Sequence, residues 1–122
     1  EEAVKWYRLA AEQGIAQAQH NLGVFYQNGL GVAKDYKEAL KWFRLAAEQG
    51  SASAQYVLGL MYSSGLGVLQ DHKEAGKWYR LAAEQGHAIS HTNLGLMYYS
   101  GLGVLQDTVL SHMWFPLLQN QS

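Results

Sequence analysis

The stretch IAQAQHNLGVFYQNGLGVAKDYKEALKWFRLAAEQG, residues 15–50, is followed without a gap by SASAQYVLGLMYSSGLGVLQDHKEAGKWYRLAAEQG, residues 51–86. The two strings carry glycines, aromatic residues and acids at the same offsets, which is self-similarity with a period of 36 residues. Such a period is the mark of a repeat architecture. Followed outward, the register holds Trp6, Trp42, Trp78 and Trp114; Leu9, Leu45, Leu81 and Leu117; and Gly14, Gly50 and Gly86. It also holds Gly23, Gly59 and Gly95; Tyr26, Tyr62 and Tyr98; and Asp35, Asp71 and Asp107. The chain therefore divides as one repeat domain, 1–122: a second helix of a partial repeat at 1–14, repeats at 15–50 and 51–86, and a repeat at 87–122 whose last helix departs from the pattern.

Each unit holds two helical patterns. The first covers roughly Ala16 to Asn28, with Ala18, Leu22 and Phe25/Tyr26 at steps of three and four, so one stripe faces a neighbour. Gly23 stands inside it at a cost of about 1 kcal/mol relative to alanine, and its return at Gly59 and Gly95 predicts a packing notch. Gly29 is placed to close the helix in the left-handed conformation. Asp35 precedes Glu38 by three and Asp71 precedes Glu74 by three, the spacing of a capping box. The second helix then shows an apolar face of Ala39, Trp42, Phe43, Ala46 and Ala47, with Lys37, Lys41, Arg44 and Glu48 off it. Arg44 and Glu48, four apart, are expected to form a solvated pair of about 0.3 kcal/mol. Gly50 ends this helix, and the short turn after it forces antiparallel neighbours that stack pair upon pair. The fold class is all-α: a solenoid of antiparallel helix pairs.

The string Ala-x-Ala-Gln-x-x-Leu-Gly-x-x-Tyr-x-x-Gly-x-Gly-Val at Ala16 to Val32, followed by Asp-Tyr-Lys-Glu-Ala-Leu-Lys-Trp-Phe-x-x-Ala-Ala-Glu-Gln-Gly at Asp35 to Gly50, resembles the Sel-one-like repeat, a relative of the tetratricopeptide repeat. The resemblance covers the whole chain. It implies an α/α right-handed superhelix and a role as adaptor or scaffold that binds a protein or peptide, in signalling, envelope or host-contact complexes. Cysteine-rich branches of related proteins are reported as hydrolases of cell-wall-like substrates, which supplies a rival reading.

Composition narrows the field. Nine Lys+Arg against ten Asp+Glu give a net charge of −1, too weak a field to gather nucleic acid. Base reading by helical repeats needs basic side chains, and the first helices contain no Lys or Arg. With no cysteine, disulfides, thiolate metal sites and cysteine nucleophiles drop out. No apolar run reaches the roughly 18 residues of a membrane helix, so the expectation is a soluble chain, cytoplasmic, periplasmic or secreted, without membrane insertion.

Catalysis needs an asymmetric set of groups meeting at one point, whereas almost every acid here recurs in register. Asp35, Asp71, Glu38, Glu74, Glu12, Glu48 and Glu84 read as caps and surface pairs. The Gly-Leu-Gly loops follow no strand and lack the Gly-Lys-Ser/Thr of a phosphate loop. No Gly-x-Ser-x-Gly elbow is present. Among the histidines, His20, His72, His87, His91 and His112, only His87 and His91 are spaced to share a metal ion, and no acid nearby supplies a third ligand. The reading is no catalytic residue, no cofactor and no metal.

Positions that escape the period are free to serve a partner. On the first helices these are the columns Gln17/Ser53/Ile89, His20/Tyr56/Thr92, Val24/Leu60/Leu96, Gln27/Ser63/Tyr99 and Asn28/Ser64/Ser100. Steps of three, four, three and one set them on one face. The resemblance to tetratricopeptide repeats places these columns along the concave groove. None of the fifteen is charged, so a partner rich in aromatic, aliphatic and amide groups is expected, with Tyr56 and Tyr99 as anchors. A clamp for a chain-terminal carboxylate would need basic residues where His20, Val24, Thr92 and Leu96 stand. The ends of the array differ again. Leu110, Met113, Pro116, Leu117 and Leu118 replace the pattern of the last helix, and Pro116 is expected to kink or stop it. That segment reads as a cap folded over the preceding pair. The helix at 1–14 leaves Trp6 and Leu9 uncovered, which predicts self-association through open ends.

Overall fold

The computed structural model describes residues 2–101. Within them lie six helices and no strand: α1 (Glu2–Glu12), α2 (Ala16–Asn28), α3 (Tyr36–Glu48), α4 (Ala52–Ser64), α5 (His72–Glu84) and α6 (Ala88–Ser100). Each packs chiefly against the helices before and after it in the chain. The antiparallel solenoid thus has α2, α4 and α6 in one layer and α1, α3 and α5 in the other. Leu110, Met113, Pro116, Leu117 and Leu118, with Asp107 and Trp114, lie outside the described residues.

The turns follow from local chemistry. Gly29 and Gly65 adopt φ of 68° and 72°, and their N–H groups donate to the carbonyls of Phe25 and Met61, closing α2 and α4 in the left-handed conformation expected of glycine. Asp35 caps α3 by accepting from the N–H groups of Lys37 and Glu38 at 3.0 and 3.1 Å, and Asp71 accepts from Glu74 N–H at 3.0 Å. The capping box itself is not closed. The N–H of Asp35 donates to the Tyr26 carbonyl at 2.9 Å, and that of Asp71 to the Tyr62 carbonyl at 2.8 Å, so the loop is tied back to the preceding helix. Glu38, released from the cap, accepts from Trp42 Nε1 at 3.2 Å and pairs with Lys41 at 3.5 Å.

The helical glycines are notches, as expected. A Cβ on Gly23 would stand 3.0 Å from the ring carbons of Phe43, and one on Gly59 would stand 2.7 and 2.8 Å from those of Tyr79. The ring of each second helix is therefore seated in the backbone of the first helix before it. Leu22, Phe43, Leu58, Met61 and Leu94 are fully buried around these seats. Trp42, only 4% exposed, joins Val4, Ala11, Ala18 and Leu22, so one repeat closes over the previous pair.

Two sets of polar braces recur in the same register. Buried Gln19 donates to the Ala11 carbonyl at 3.1 Å and accepts from Gln49 Nε2 at 2.8 Å; Gln55 donates to the Ala47 carbonyl at 3.1 Å and accepts from Gln85 Nε2 at 2.9 Å. Each amide thus ties three consecutive segments while satisfying its own buried atoms. Arg44 does not serve as a surface partner of Glu48: its guanidinium donates to the Tyr62 hydroxyl and lies 5.6 Å from the ring centroid. Arg8 does the same with Tyr26, and the Arg80 charge lies 5.5 Å from the Tyr98 ring centroid. An aromatic ring with a hydroxyl offers both a face and an acceptor to the cation, which a distant carboxylate on a flexible stem does not.

Gly59→Ala tests the notch. The helix-propensity gain of up to about 1 kcal/mol is outweighed by overpacking of about 1–3 kcal/mol against the Tyr79 ring. Urea denaturation should show a net loss of stability, larger than for Gly23→Ala, whose added carbon meets Phe43 at the longer distance.

Candidate binding face

None of the fifteen variable positions on the first helices is buried. Gln17, Asn28, Ser53, Ser64, Ile89, Thr92, Leu96, Tyr99 and Ser100 are exposed, and His20, Val24, Gln27, Tyr56, Leu60 and Ser63 are half-buried. Their periodicity explains the division: Leu22, Leu58 and Leu94 turn into the core, and the variable columns turn away from it.

The three helices offer different chemistry to that face. On α2 it is mostly amide, with Gln17 Nε2 donating to Asn21 Oδ1 at 3.1 Å. His20 leans edge-on to Phe43 with ring centroids 5.4 Å apart, and its Nδ1 is buried without a hydrogen-bond partner. On α4 the face is part of the scaffold. Tyr56 packs on Tyr79 at 6.2 Å and on His87 at 4.9 Å, tilted 32° to the imidazole. Ser63 and Asn93 both hydrogen-bond the Tyr79 hydroxyl. On α6 the face is apolar: Ile89, Leu96 and Tyr99 stand exposed at steps of seven and three, while Leu94, Met97 and Tyr98 are buried on the opposite side.

The structure adds a residue that the column comparison passes over. Tyr79 belongs to the second-helix layer, yet its ring sits in the Gly59 notch and its hydroxyl reaches through to Ser63 and Asn93 on the face. It supports Tyr56 from below. The signal in the sequence was the change from Phe43 to Tyr79 at a notch-facing position, which adds a hydroxyl there.

His87 has structural work. His87 is the N-cap of α6, its Nδ1 3.4 Å from Ser90 N–H and 2.9 Å from Ser90 Oγ. In the same column Ser51 caps α4 through Ala54 N–H at 3.2 Å, and Ile15 caps nothing by side chain. A serine hydroxyl beside an imidazole can suggest a nucleophile and its base. Ser90 is fully buried, so no substrate reaches its Oγ, and the spacing of three is that of a helix cap. Among the described residues no three His, Asp or Glu side chains gather where a metal could be held.

Burial pushes the Tyr79 phenol above the usual tyrosine value of about 10, while the hydrogen bonds from Asn93 and Ser63 pull the other way. The folded state therefore favours the neutral phenol. Its contribution to stability is fully present below about pH 10 and is lost as pH rises through the raised value. In an alkaline titration followed by phenolate absorbance and helicity, one tyrosine should ionise late, together with unfolding. Tyr79→Phe should remove that late step and unfold at higher pH, although it is less stable near neutrality by about 1 kcal/mol for the lost hydrogen bonds.

The Sel1 repeat profile matches residues 1–15, 16–51, 52–87 and 88–115. No curated protein sequence matches. Among solved structures, the chain is similar to c5321 of uropathogenic Escherichia coli, described as a protective antigen displaying an SLR fold, with 48% identity and a TM-score of 0.91 over 98% of this chain and 26% of that one. It is similar to a Sel1 repeat protein of Oxalobacter formigenes at 41% identity and a TM-score of 0.90, covering 98% of this chain and 49% of the other. Cysteine-rich protein B of Helicobacter pylori shares the fold alone, at 20% identity and a TM-score of 0.70. The chain thus spans about a quarter and about half of the length of the first two. No described helix is long and apolar enough to cross a membrane. Repeat proteins of this kind generally act as scaffolds for protein interaction and are typically non-enzymatic. Matched in every one of its repeats, this chain belongs to the Sel1 repeat family.

Proposed function

We propose that this chain is a scaffold that holds a peptide or protein segment along the α2, α4 and α6 layer, by contact with uncharged aromatic, aliphatic and amide groups. The observation that supports this most is α6, apolar on two sides: one builds the core with Leu94, Met97 and Tyr98, and the other presents Ile89, Leu96 and Tyr99 to solvent. A helix that needed only to stack would carry polar residues at the Ile89 and Tyr99 positions, as α2 does with Gln17 and Gln27 and α4 with Ser53 and Ser63. The three helices divide the work. Gln17, Gln27 and Asn28 on α2 supply amide hydrogen bonds, while Tyr56 and Leu60 on α4 supply a fixed floor. Ile89, Leu96 and Tyr99 on α6 take the apolar side chains of the partner. Thr92, Ser100, Ser64, Ser53, Ser63, His20 and Val24 complete the face.

Tyr56 and Tyr99 are unequal anchors in this reading. Tyr56 is already held by Tyr79 and His87, so it costs little entropy to engage, but its removal also loosens the α4 to α6 junction. Tyr99 is about half exposed and gives the cleaner test. Anchors of this kind commonly contribute about 2 kcal/mol or more, roughly thirty-fold in affinity. Peptides selected from a random display library against the immobilised chain should bind the Tyr99→Ala and Leu96→Ser variants at least ten-fold more weakly, with circular dichroism unchanged. Selected peptides that ignore both substitutions and respond instead to changes on α1 would overturn the assignment.

A further inference from the structure

Three columns of the second helices are identical in every described copy and yet do not turn inward: Lys5, Lys41 and Lys77; Leu9, Leu45 and Leu81; Glu12, Glu48 and Glu84. All nine residues are exposed, the leucines at 42%, 37% and 44%. Neither stacking nor capping accounts for them. Glu12, Glu48 and Glu84 are the last residues of α1, α3 and α5, where the helix dipole disfavours a negative charge. Arg44 turns to Tyr62 rather than to Glu48, and none of the three glutamates forms an ion pair among the described residues. Lys41 and Lys77 lie 3.5 and 3.4 Å from Glu38 and Glu74, but the lysine side chains stay 59% and 70% exposed, and an ammonium has three donors to share.

Helices α1, α3 and α5 alternate with antiparallel neighbours, so they run parallel to one another and the three columns become three bands across the outer layer. In the direction of the helices the bands are lysine, leucine and glutamate. Lys41 precedes Leu45 by about 6 Å along the axis, and Glu48 follows it by about 4.5 Å. A face so ordered is complementary to itself. We propose that the α1, α3 and α5 layer docks on the same layer of a second copy of this chain, about a two-fold axis that crosses the helices along the leucine band. The rotation sets each helix antiparallel to its counterpart, with leucine on leucine. It brings each lysine opposite a glutamate of the second copy, within about 1.5 Å of axial register. The other orientation, with the helices parallel, sets lysine on lysine and is repelled. Three helices about 20 Å long and about 10 Å apart give a face of roughly 600 Å², at the small end of specific interfaces. The dimer is therefore weak and sensitive to salt, which screens solvated pairs of this kind. It uses the layer opposite the groove assigned above and is independent of it.

Sedimentation equilibrium tests this. At low ionic strength the chain should sediment as a concentration-dependent mixture of monomer and dimer, and raising the salt from about 0.02 to about 0.5 M should weaken the dimer at least about ten-fold. A variant with Lys5→Glu, Lys41→Glu and Lys77→Glu carries glutamate in both outer bands, and one with Glu12→Lys, Glu48→Lys and Glu84→Lys carries lysine in both. Each should be monomeric alone, with the circular dichroism of the parent, and the two mixed should form a one-to-one dimer. Adding Leu45→Ser and Leu81→Ser to both should abolish that dimer, whereas a mere attraction of opposite net charges would survive it. In the otherwise unaltered chain the same serine pair should weaken self-association at least about ten-fold, and it decides alone should a charge-reversed variant lose helicity. A parent chain that stays monomeric at millimolar concentration in low salt overturns the proposal, as do reversed variants that fail to pair or a mixed dimer indifferent to the serine pair. So does a parent dimer that survives the serine pair and is lost on Trp6→Lys, which would place the contact at the end of the array.

Discussion

The seating of an aromatic ring on a backbone glycine is the contact from which the rest of this structure follows. Gly23 accepts Phe43 and Gly59 accepts Tyr79, at distances that leave no room for even one added carbon. Glycine inside a helix is costly, about 1 kcal/mol against alanine. The close approach it permits lets neighbouring helix axes come near enough for Leu22, Leu58 and Leu94 to be buried completely. Because the ring lies a fixed number of residues after the notch, one local fit repeated at constant spacing generates the whole solenoid.

The glutamine and arginine braces add directional contacts to this packing. Gln19 and Gln55 each join a carbonyl behind to an amide ahead, and Arg8, Arg44 and Arg80 each lie against a tyrosine of the next helix. Directional bonds specify a position where dispersion specifies only proximity. The same devices leave little polar material uncommitted. Buried Gln19, Gln55 and Ser90 are all engaged in structural hydrogen bonds.

A regular solenoid offers its partners whatever the fold does not consume. In this chain that is a graded surface: amide on α2, a braced aromatic floor on α4, and an apolar ledge on α6. A ligand that lies across all three would meet hydrogen-bonding groups at one end and dispersion contacts at the other. In the proposed scaffold role, such a gradient would give a peptide a preferred direction without any fixed charge.

Much of the architecture was legible in the chain because it is written in local terms. A period of 36, glycines at helix ends, Asp35 and Asp71 before helix starts and a Gly23 column in mid-helix each report a constraint that acts within a few residues or recurs at one spacing. On the first helices the sequence also separated the variable columns from Leu22, Leu58 and Leu94 and from Gly23, Gly59 and Gly95, and these constant ones turn inward. What it did not disclose were the partners of long polar side chains. Arg44 lay four residues from Glu48 and eighteen from Tyr62, and Glu38 was spaced to reach back to Asp35 rather than forward to Trp42. Nor did it show that Tyr56 is held between Tyr79 and His87, or that His87 caps α6. A flexible side chain has several geometrically allowed partners near it in sequence, and only the packed neighbours brought in from other helices decide which of them it meets.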